Sequence, residues 1–480
     1  MRYVSTRGQS PAVSFLDAVL AGMAPDGGLY VPEDWASGPQ SDLARRNVAF
    51  GHYTYTAMHT LEAFARGDIG WEEEGVATLC NEAYIAAPAP GSGAARHPKW
   101  PPTVAPLRQS GPGEWRLELF HGPSLSFKDI AMQLIAPIFE LALRRRDKRL
   151  TVVCATSGDT GGAAVEAMKS RERIDLFVLT PKGRVSDVQR RFMTTSGAAN
   201  VFAIEIEGDF DVCQALVKAL FADRAFAEQA QLSAVNSINW ARIVAQSVYF
   251  QTTAHTLCAH GPVSFVVPTG NFGDAYSGWV AKQCGAPIGR IVLATNANDI
   301  LVRALHTGRY QRGASHATLS PAMDIQVASN FERILFDALD RDGEHVARLY
   351  HNLAQSGGFD IPPAALARLQ AAFSATSVDD AATLEMMRDE WAYEGELLCP
   401  HTAVGDAARV ATPQPKQPVV YLATAHPAKF PDTVERATGV RPQLPAKCAD
   451  LFDRAEKFDT VSADVEALKV YIRERSRAWQ

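Results

Sequence analysis

Cysteine, net charge and long apolar runs are all scarce in this 480-residue chain, and each scarcity excludes something. The seven cysteines (Cys80, Cys154, Cys213, Cys258, Cys284, Cys399 and Cys448) are scattered, odd in number and form no C-x-x-C pair. That pattern suits reduced thiols in a cytoplasmic protein better than a disulfide framework or a zinc site. No metal site is expected. The 47 Lys+Arg against 53 Asp+Glu leave a formal charge of -6, which argues against electrostatic nucleic-acid binding and against a polybasic membrane anchor. A small anionic ligand stays open, because such sites depend on a few groups rather than on net charge. No apolar run approaches the ~20 residues of a membrane-spanning helix. The opening MRYVSTRG leads into no signal-type apolar block, so the expected location is cytoplasmic. Internal repeats and long low-complexity tracts are also lacking, as are G-x-x-x-x-G-K-[ST] and G-x-G-x-x-G, so nucleotide binding has no direct support.

What is present is an ordinary globular composition, 47% hydrophobic and 21% charged, in a length that suits about three domains. The clearest break is Ala86 to Pro106, whose six prolines with Gly and Ala exclude a regular helix or central strand. Before it the chain is mostly helical, as in SFLDAVLAG from Ser14 and YTAMHTLEAFARG from Tyr55, with a turn and short extended piece at GGLYVPE.

After it, short apolar runs alternate with helical stretches. The extended candidates are WRLELF from Trp115, TVVCAT from Thr151, DLFVLTP from Asp175 and VFAIEIEG from Val201. VSFVVPTG from Val263, RIVLATN from Arg290 and PVVYLATAH from Pro418 follow. Helical patterns lie between most of them, such as KDIAMQLIAPIFELALRRR from Lys128 and NWARIVAQSVYFQTTAHTL from Asn239. This alternation predicts βαβ units and a mostly parallel α/β sheet, and the nearly continuous apolar runs predict strands covered on both faces.

Ligands in such folds bind beyond the carboxyl ends of strands, which directs attention to the strand-to-helix junctions. Two are rich in small hydrogen-bonding residues: Ser157-Gly158-Asp159-Thr160 after TVVCAT, and Gly270-Asn271-Phe272-Gly273-Asp274 after VSFVVPT. Glycine permits a close approach, and the helix that follows points free N–H groups at an anion. Each is equally readable as a plain turn. Lys128 stands in the first turn of an apolar helix, where the dipole opposes its charge and favours a nucleophilic amine. The alternative is a solvated lysine paired with Asp129. Asn236, Ser237 and Arg242 offer an amide, a hydroxyl and a guanidinium for a phosphate. Alternatively, Ser237 or Asn239 caps the next helix and Arg242 lies at the surface. Thr424-Ala425-His426-Pro427 closes the last strong strand as a turn.

In combination and in this order, the blocks GGLYVPE, LELFHGPSLSFKDIA, ATSGDTGGAAVEA, GDFDVCQALVKALF, NSINWARIVAQ, VVPTGNFGDAYSGWVAK, ATNANDIL and ATAHPAKF resemble the threonine synthase family. They run from about Tyr3 to Phe430, nearly the whole chain. The resemblance implies a fold type II, pyridoxal-phosphate (PLP) dependent α/β enzyme, similar to the tryptophan synthase β chain. It would have two α/β lobes in residues 96–432, an additional mostly helical amino-terminal domain in 1–95, and a carboxy-terminal segment, 433–480, packed on the core. It implies conversion of O-phospho-L-homoserine and water to L-threonine and phosphate, with the oligomeric state, monomer or homodimer, left open. By the same resemblance Lys128 carries PLP as a Schiff base, Gly270 through Asp274 hold its phosphate, and Thr424 faces its ring nitrogen. Ser157, Gly158, Asp159 and Thr160 receive the substrate carboxylate, and Asn236, Ser237 and Arg242 its phosphate. An ionised Asp159 would repel a carboxylate, so Ser157, Thr160 and backbone N–H groups are expected to carry that contact. Serine/threonine dehydratases and cysteine synthases share the lysine and the Gly-rich loop, but their substrates lack the phosphate that Arg242 would meet.

Overall fold

The computed structural model describes residues 1–35, 52–85, 100–411 and 417–479. Residues 86–99, most of the expected linker, lie outside this set; Trp100 to Pro106 is turn-like, with Trp100 Nε1 donating to the Ala83 carbonyl at 2.9 Å.

The chain opens with an antiparallel pair, β1 (Tyr3–Ser5) and β2 (Tyr30–Pro32), around the helix Phe15–Ala21 that Ser14 caps. The helices Tyr53–Phe64 and Val76–Tyr84 follow. Their apolar faces join the main core, where Tyr3 and Phe64 pack on the fully buried Trp240.

Two sheets make the two lobes. The larger contains β3 (Leu107–Gly111), β4 (Glu114–Glu118), β9 (Val263–Pro268), β10 (Ile288–Thr295), β13 (Phe373–Ser377) and β14 (Val419–Ala423), ordered β13-β10-β9-β14-β4-β3. It is parallel except at the β3/β4 hairpin. The smaller sheet is all parallel, ordered β15-β7-β6-β5-β8, from β5 (Leu150–Ala155), β6 (Ile174–Pro181), β7 (Val201–Ile206), β8 (Leu232–Ser233) and β15 (Asp459–Val461). A separate antiparallel pair joins β11 (Arg309–Gln311) to β12 (Gly358–Asp360). Every residue of β6, β9 and β14 is buried, as their apolar runs require when helices cover both faces. β15 shows where the carboxy-terminal segment goes: it crosses back to extend the smaller sheet, and Arg477 Nε then binds Asp175 Oδ1 at 2.8 Å.

The helix Lys128–Arg146 links the two sheets in sequence and matches its predicted span. Most of its residues are buried, its last turn carries Arg144, Arg145 and Arg146 where the dipole favours cations, and Asp147 ends it in the left-handed conformation. Among the described residues no helix is long and apolar enough to cross a membrane.

One buried ion cluster ties the larger sheet to the helix Pro400–Ala407. Arg116 on β4 reaches Glu390 Oε1 at 2.7 Å, Glu396 Oε2 at 2.8 Å and Asp406 Oδ2 at 2.6 Å. Burial still pushes the Asp406 carboxyl up to about 6, against the pull of Arg116. Removing the cation strands the buried Asp406 carboxylate, so Arg116→Met is expected to cost about 3–5 kcal/mol in denaturant unfolding. A loss under about 1 kcal/mol would show that the cluster behaves as a surface network.

Candidate active site

The lysine and the threonine singled out in the sequence are brought together by backbone pairing. Phe127 N donates to the Thr424 carbonyl at 2.8 Å, His426 N to the Leu125 carbonyl at 3.0 Å, and Ser126 bridges Ala425. Lys128 therefore starts its helix directly beside the end of β14. Its partner is not Asp129, which is buried against Ser124 Oγ at 2.6 Å and Ser124 N at 2.9 Å. Lys128 Nζ instead lies 3.2 Å from Asp159 Oδ2. Burial lowers the Lys128 pKa, Asp159 opposes that fall, and Lys429 and Arg242 add to it.

The loop after β5 is shaped by its first threonine. Thr156 Oγ1 accepts from Gly158 N at 2.9 Å and from Gly161 N at 3.0 Å. Gly158 has φ +128°, and a Cβ there would stand 2.5 Å from the Gln189 side chain. Only glycine fits both the conformation and the space. Asp159 then opens the helix Asp159–Met168, while Ser157 and Thr160 remain half-buried on the same turn. Asp159 is itself buried, with Oδ1 receiving Gln189 Nε2 at 3.0 Å and Lys429 Nζ at 2.9 Å. Against the desolvation penalty, Lys429 and Lys128 hold its carboxyl far below the usual range. The repulsion expected of an ionised Asp159 is thus already compensated by two lysines.

The loop after β9 turns through Phe272, whose φ of 63° is left-handed, before the helix Gly273–Gln283 begins. Such a φ is strained for a bulky residue and marks an enforced turn. The N–H groups of Gly273, Asp274 and Ala275 open that helix without intrahelical acceptors. Asn330 N donates to the Asn271 carbonyl at 3.1 Å, and a Cβ on Gly270 would stand 3.0 Å from the Ala322 carbonyl oxygen.

Ser237 lies against this loop: a Cβ on Gly273 would come within 3.5 Å of Ser237 Cβ. Asn239, not Ser237, caps the helix Trp240–Leu257 by accepting from Ala241 N at 3.0 Å. Asn236 contributes a carbonyl, 3.0 Å from Asn239 N. Arg242 is 3% exposed, far from a surface arginine, and burial brings its pKa down to about 10. Its Nη1 reaches the Val235 carbonyl only at 3.5 Å, and its Nε has no hydrogen-bond partner among the described residues. A buried guanidinium so poorly paired is a strong anion receptor.

Further buried atoms at the site lack partners in the same sense, among them Thr424 Oγ1, Asp274 Oδ2, Ser126 Oγ and His401 Nδ1. Asp274 pairs through its other oxygen with the Tyr249 hydroxyl, and burial pushes its carboxyl up to about 7 despite Tyr249, Lys128 and Arg242. The structure also recruits groups to which the sequence assigned no role. His401 Nε2 accepts from Ala322 N at 3.2 Å, and burial lowers its pKa to about 4. Thr402 Oγ1 receives Thr424 N at 3.2 Å. Gln189, Tyr249, His401 and Lys429 carry no local motif; their positions next to the site come from tertiary packing. Lys429 alone stood within a matching block, ATAHPAKF.

Comparison with known proteins accords with this geometry. The family described as "Threonine synthase N terminus" matches residues 2–84, "Pyridoxal-phosphate dependent enzyme" residues 115–377, and "Threonine synthase, C-terminal" residues 402–472. The threonine synthase of Pseudomonas aeruginosa is 44% identical over 476 residues, covering 98% of each chain. The PLP-bound threonine synthase from Brucella melitensis superposes with a TM-score of 0.91 at 46% identity, covering 99% of this chain and 100% of that one. The yeast enzyme gives 0.88 at 34% identity, covering 99% and 98%. An α/β core with a buried lysine, a Gly-rich strand-to-helix loop and buried, unpaired polar groups, matched end to end by these relatives, makes the chain a member of the threonine synthase family of PLP-dependent enzymes.

Proposed function

We propose that this protein converts O-phospho-L-homoserine and water to L-threonine and phosphate in the cytoplasm, with PLP held between Lys128, the loop Gly270–Asp274 and Thr424. The observation that carries the site assignment is the set of buried groups left unpaired by the protein itself. Thr424 Oγ1 suits a neutral ring nitrogen, and the helix N-terminus after Phe272 suits a phosphate. The cytoplasmic placement rests on seven cysteines that are all free.

When bound, PLP supplies the electron sink for charge that develops at the substrate carbons. The chain supplies the rest. Lys128 holds the cofactor, and its amine, once released, takes the proton from Cα and returns protons later in the cycle. A hydroxyl at Thr424, in place of a carboxylate, leaves the ring nitrogen less fully protonated, which limits side reactions of overstabilised carbanions. Ser157, Thr160 and those N–H groups of the turn that Thr156 leaves free receive the substrate carboxylate, with Gly158 shaping the turn. Asn236, Ser237 and Arg242 receive the substrate phosphate, and Arg242, with its loose pairing, can hold the anion before and after it leaves. Water then adds at Cβ. The same framework suggests a division into residues 1–95, 96–432 and 433–480, with the last segment strapped to the smaller sheet through β15.

Two outcomes follow. Lys128→Ala is expected to lose the near-visible absorbance of the bound cofactor and essentially all threonine formation from O-phosphohomoserine. Unchanged absorbance in that variant would remove Lys128 from its role, and 2-oxobutyrate as the main product of the wild type would indicate a dehydratase. The second concerns Asp274, whose carboxyl is neutral below about 7 and ionised above. Raising the pH from 6 to 8 then places a negative charge beside the phosphate loop, so cofactor affinity falls, about tenfold for a coupling of about one pKa unit. Asp274→Asn is expected to flatten that dependence in equilibrium binding of PLP; an equally steep dependence in the variant would contradict the placement.

A further inference from the structure

Lys429 has no part in the chemistry above, yet its position is expensive and well defined. Its side chain is 0% exposed, on the turn that follows β14. Its Nζ donates to the Ser124 carbonyl at 2.8 Å and lies 2.9 Å from Asp159 Oδ1. Its own carbonyl accepts from Ser186 Oγ at 2.8 Å, and Ser186 caps the helix Asp187–Thr194 that carries Gln189. Gln189 binds the same Asp159 oxygen, while the other oxygen faces Lys128. One carboxylate at the end of the smaller sheet is thus clamped between an ammonium from the larger sheet's turn and the reactive lysine. Burying an ammonium is costly unless its charge is matched, and here the match is the counter-charge of Lys128 itself.

The electrostatic consequence has a definite sign. Asp159 alone would favour the protonated form of Lys128, and an amine that must act as a base near neutrality cannot be held too firmly as an ammonium. Lys429 offsets Asp159. Arg242 acts on Lys128 in the same sense as Lys429. Asp274 and His401 also face Lys128, while His401 and Cys399 face Asp159.

We infer that Lys429 is a positioning residue which, by offsetting the charge of Asp159, sets how readily Lys128 takes up and gives up its proton. Asp159 is accordingly the counter-charge of Lys128 rather than a contact for the substrate carboxylate. The inference rests on the reading of Lys128 as cofactor lysine and base. In the step concerned, the Lys128 nitrogen lone pair takes the Cα proton and the C–H electron pair stays with the carbon. Asp159 receives a hydrogen bond from the new ammonium and no proton.

The test uses the PLP-loaded enzyme, wild type and the variants Lys429→Gln, Asp159→Asn and the double substitution. Two quantities are followed with pH: the midpoint of the cofactor's near-visible absorbance change and the acid limb of kcat. Lys429→Gln is expected to move both upward and Asp159→Asn both downward, by about half to one pH unit, with the double variant between them. Shifts in one direction for both single variants, or fixed midpoints with only a lowered Tm, would make the pair a structural clamp and overturn the inference. Should Lys429→Gln fail to fold or to hold cofactor, the comparison of Asp159→Asn with the double variant decides, since adding Lys429→Gln must raise the midpoint. If the wild type forms no threonine, the functional reading fails, while the absorbance midpoints still decide the role of Lys429.

Discussion

Asp159 is a buried carboxylate with an ammonium on either side, and the rest of the site is built to keep it there. A charge of this kind is tolerated in a low-dielectric interior only when it is paired and its remaining lone pairs are satisfied. Lys128, Lys429 and Gln189 meet that requirement, each from a different helix or turn. The requirement reaches outward. Gly158 must stay without a side chain so that Gln189 can approach, Thr156 must fold the turn, and Ser186 must hold the turn of Lys429. The two sheets are therefore joined at the site by charge as well as by apolar packing.

This arrangement explains how a chain with a net charge of -6 handles anions. Cationic groups are concentrated where the dielectric is low: Lys429 and the loosely paired Arg242 both act on Lys128. The negative groups among them are compensated in different ways. Asp159 is ionised and paired, whereas Asp274, joined to Tyr249, keeps its proton up to about 7. Two buried carboxyl groups of one site thus carry different charges because burial and partners differ. The global balance of charge says little about such a site.

Much of the fold is legible in the sequence because the physics behind it is local. Strands buried on both faces read as unbroken apolar runs, as in β6, β9 and β14, and the apolar helix from Lys128 to Arg146 can be read to its ends. The strands that escape are short or polar: two-residue β8, FSATS in β13 and the largely exposed β15, whose pairing depends on neighbours far along the chain. The site divides the same way. Its loops are visible as strand-to-helix junctions rich in glycine and hydroxyl residues. Its charge pairs are not, since Asp159 and Lys429 are 270 residues apart and no local pattern links them. Sequence proximity even suggests the wrong partner for Lys128, because Asp129 is consumed by capping the Ser124–Ser126 turn.

In the proposed reaction the substrate loses its phosphate by carbon–oxygen cleavage and regains oxygen from water at Cβ. Turnover of O-phosphohomoserine in water enriched in oxygen-18, followed by mass spectrometry of both products, tests it directly. One solvent oxygen is expected in the threonine hydroxyl and none in the initially released phosphate. Solvent oxygen in the phosphate, with homoserine as the carbon product, would mean phosphorus–oxygen hydrolysis and would contradict it.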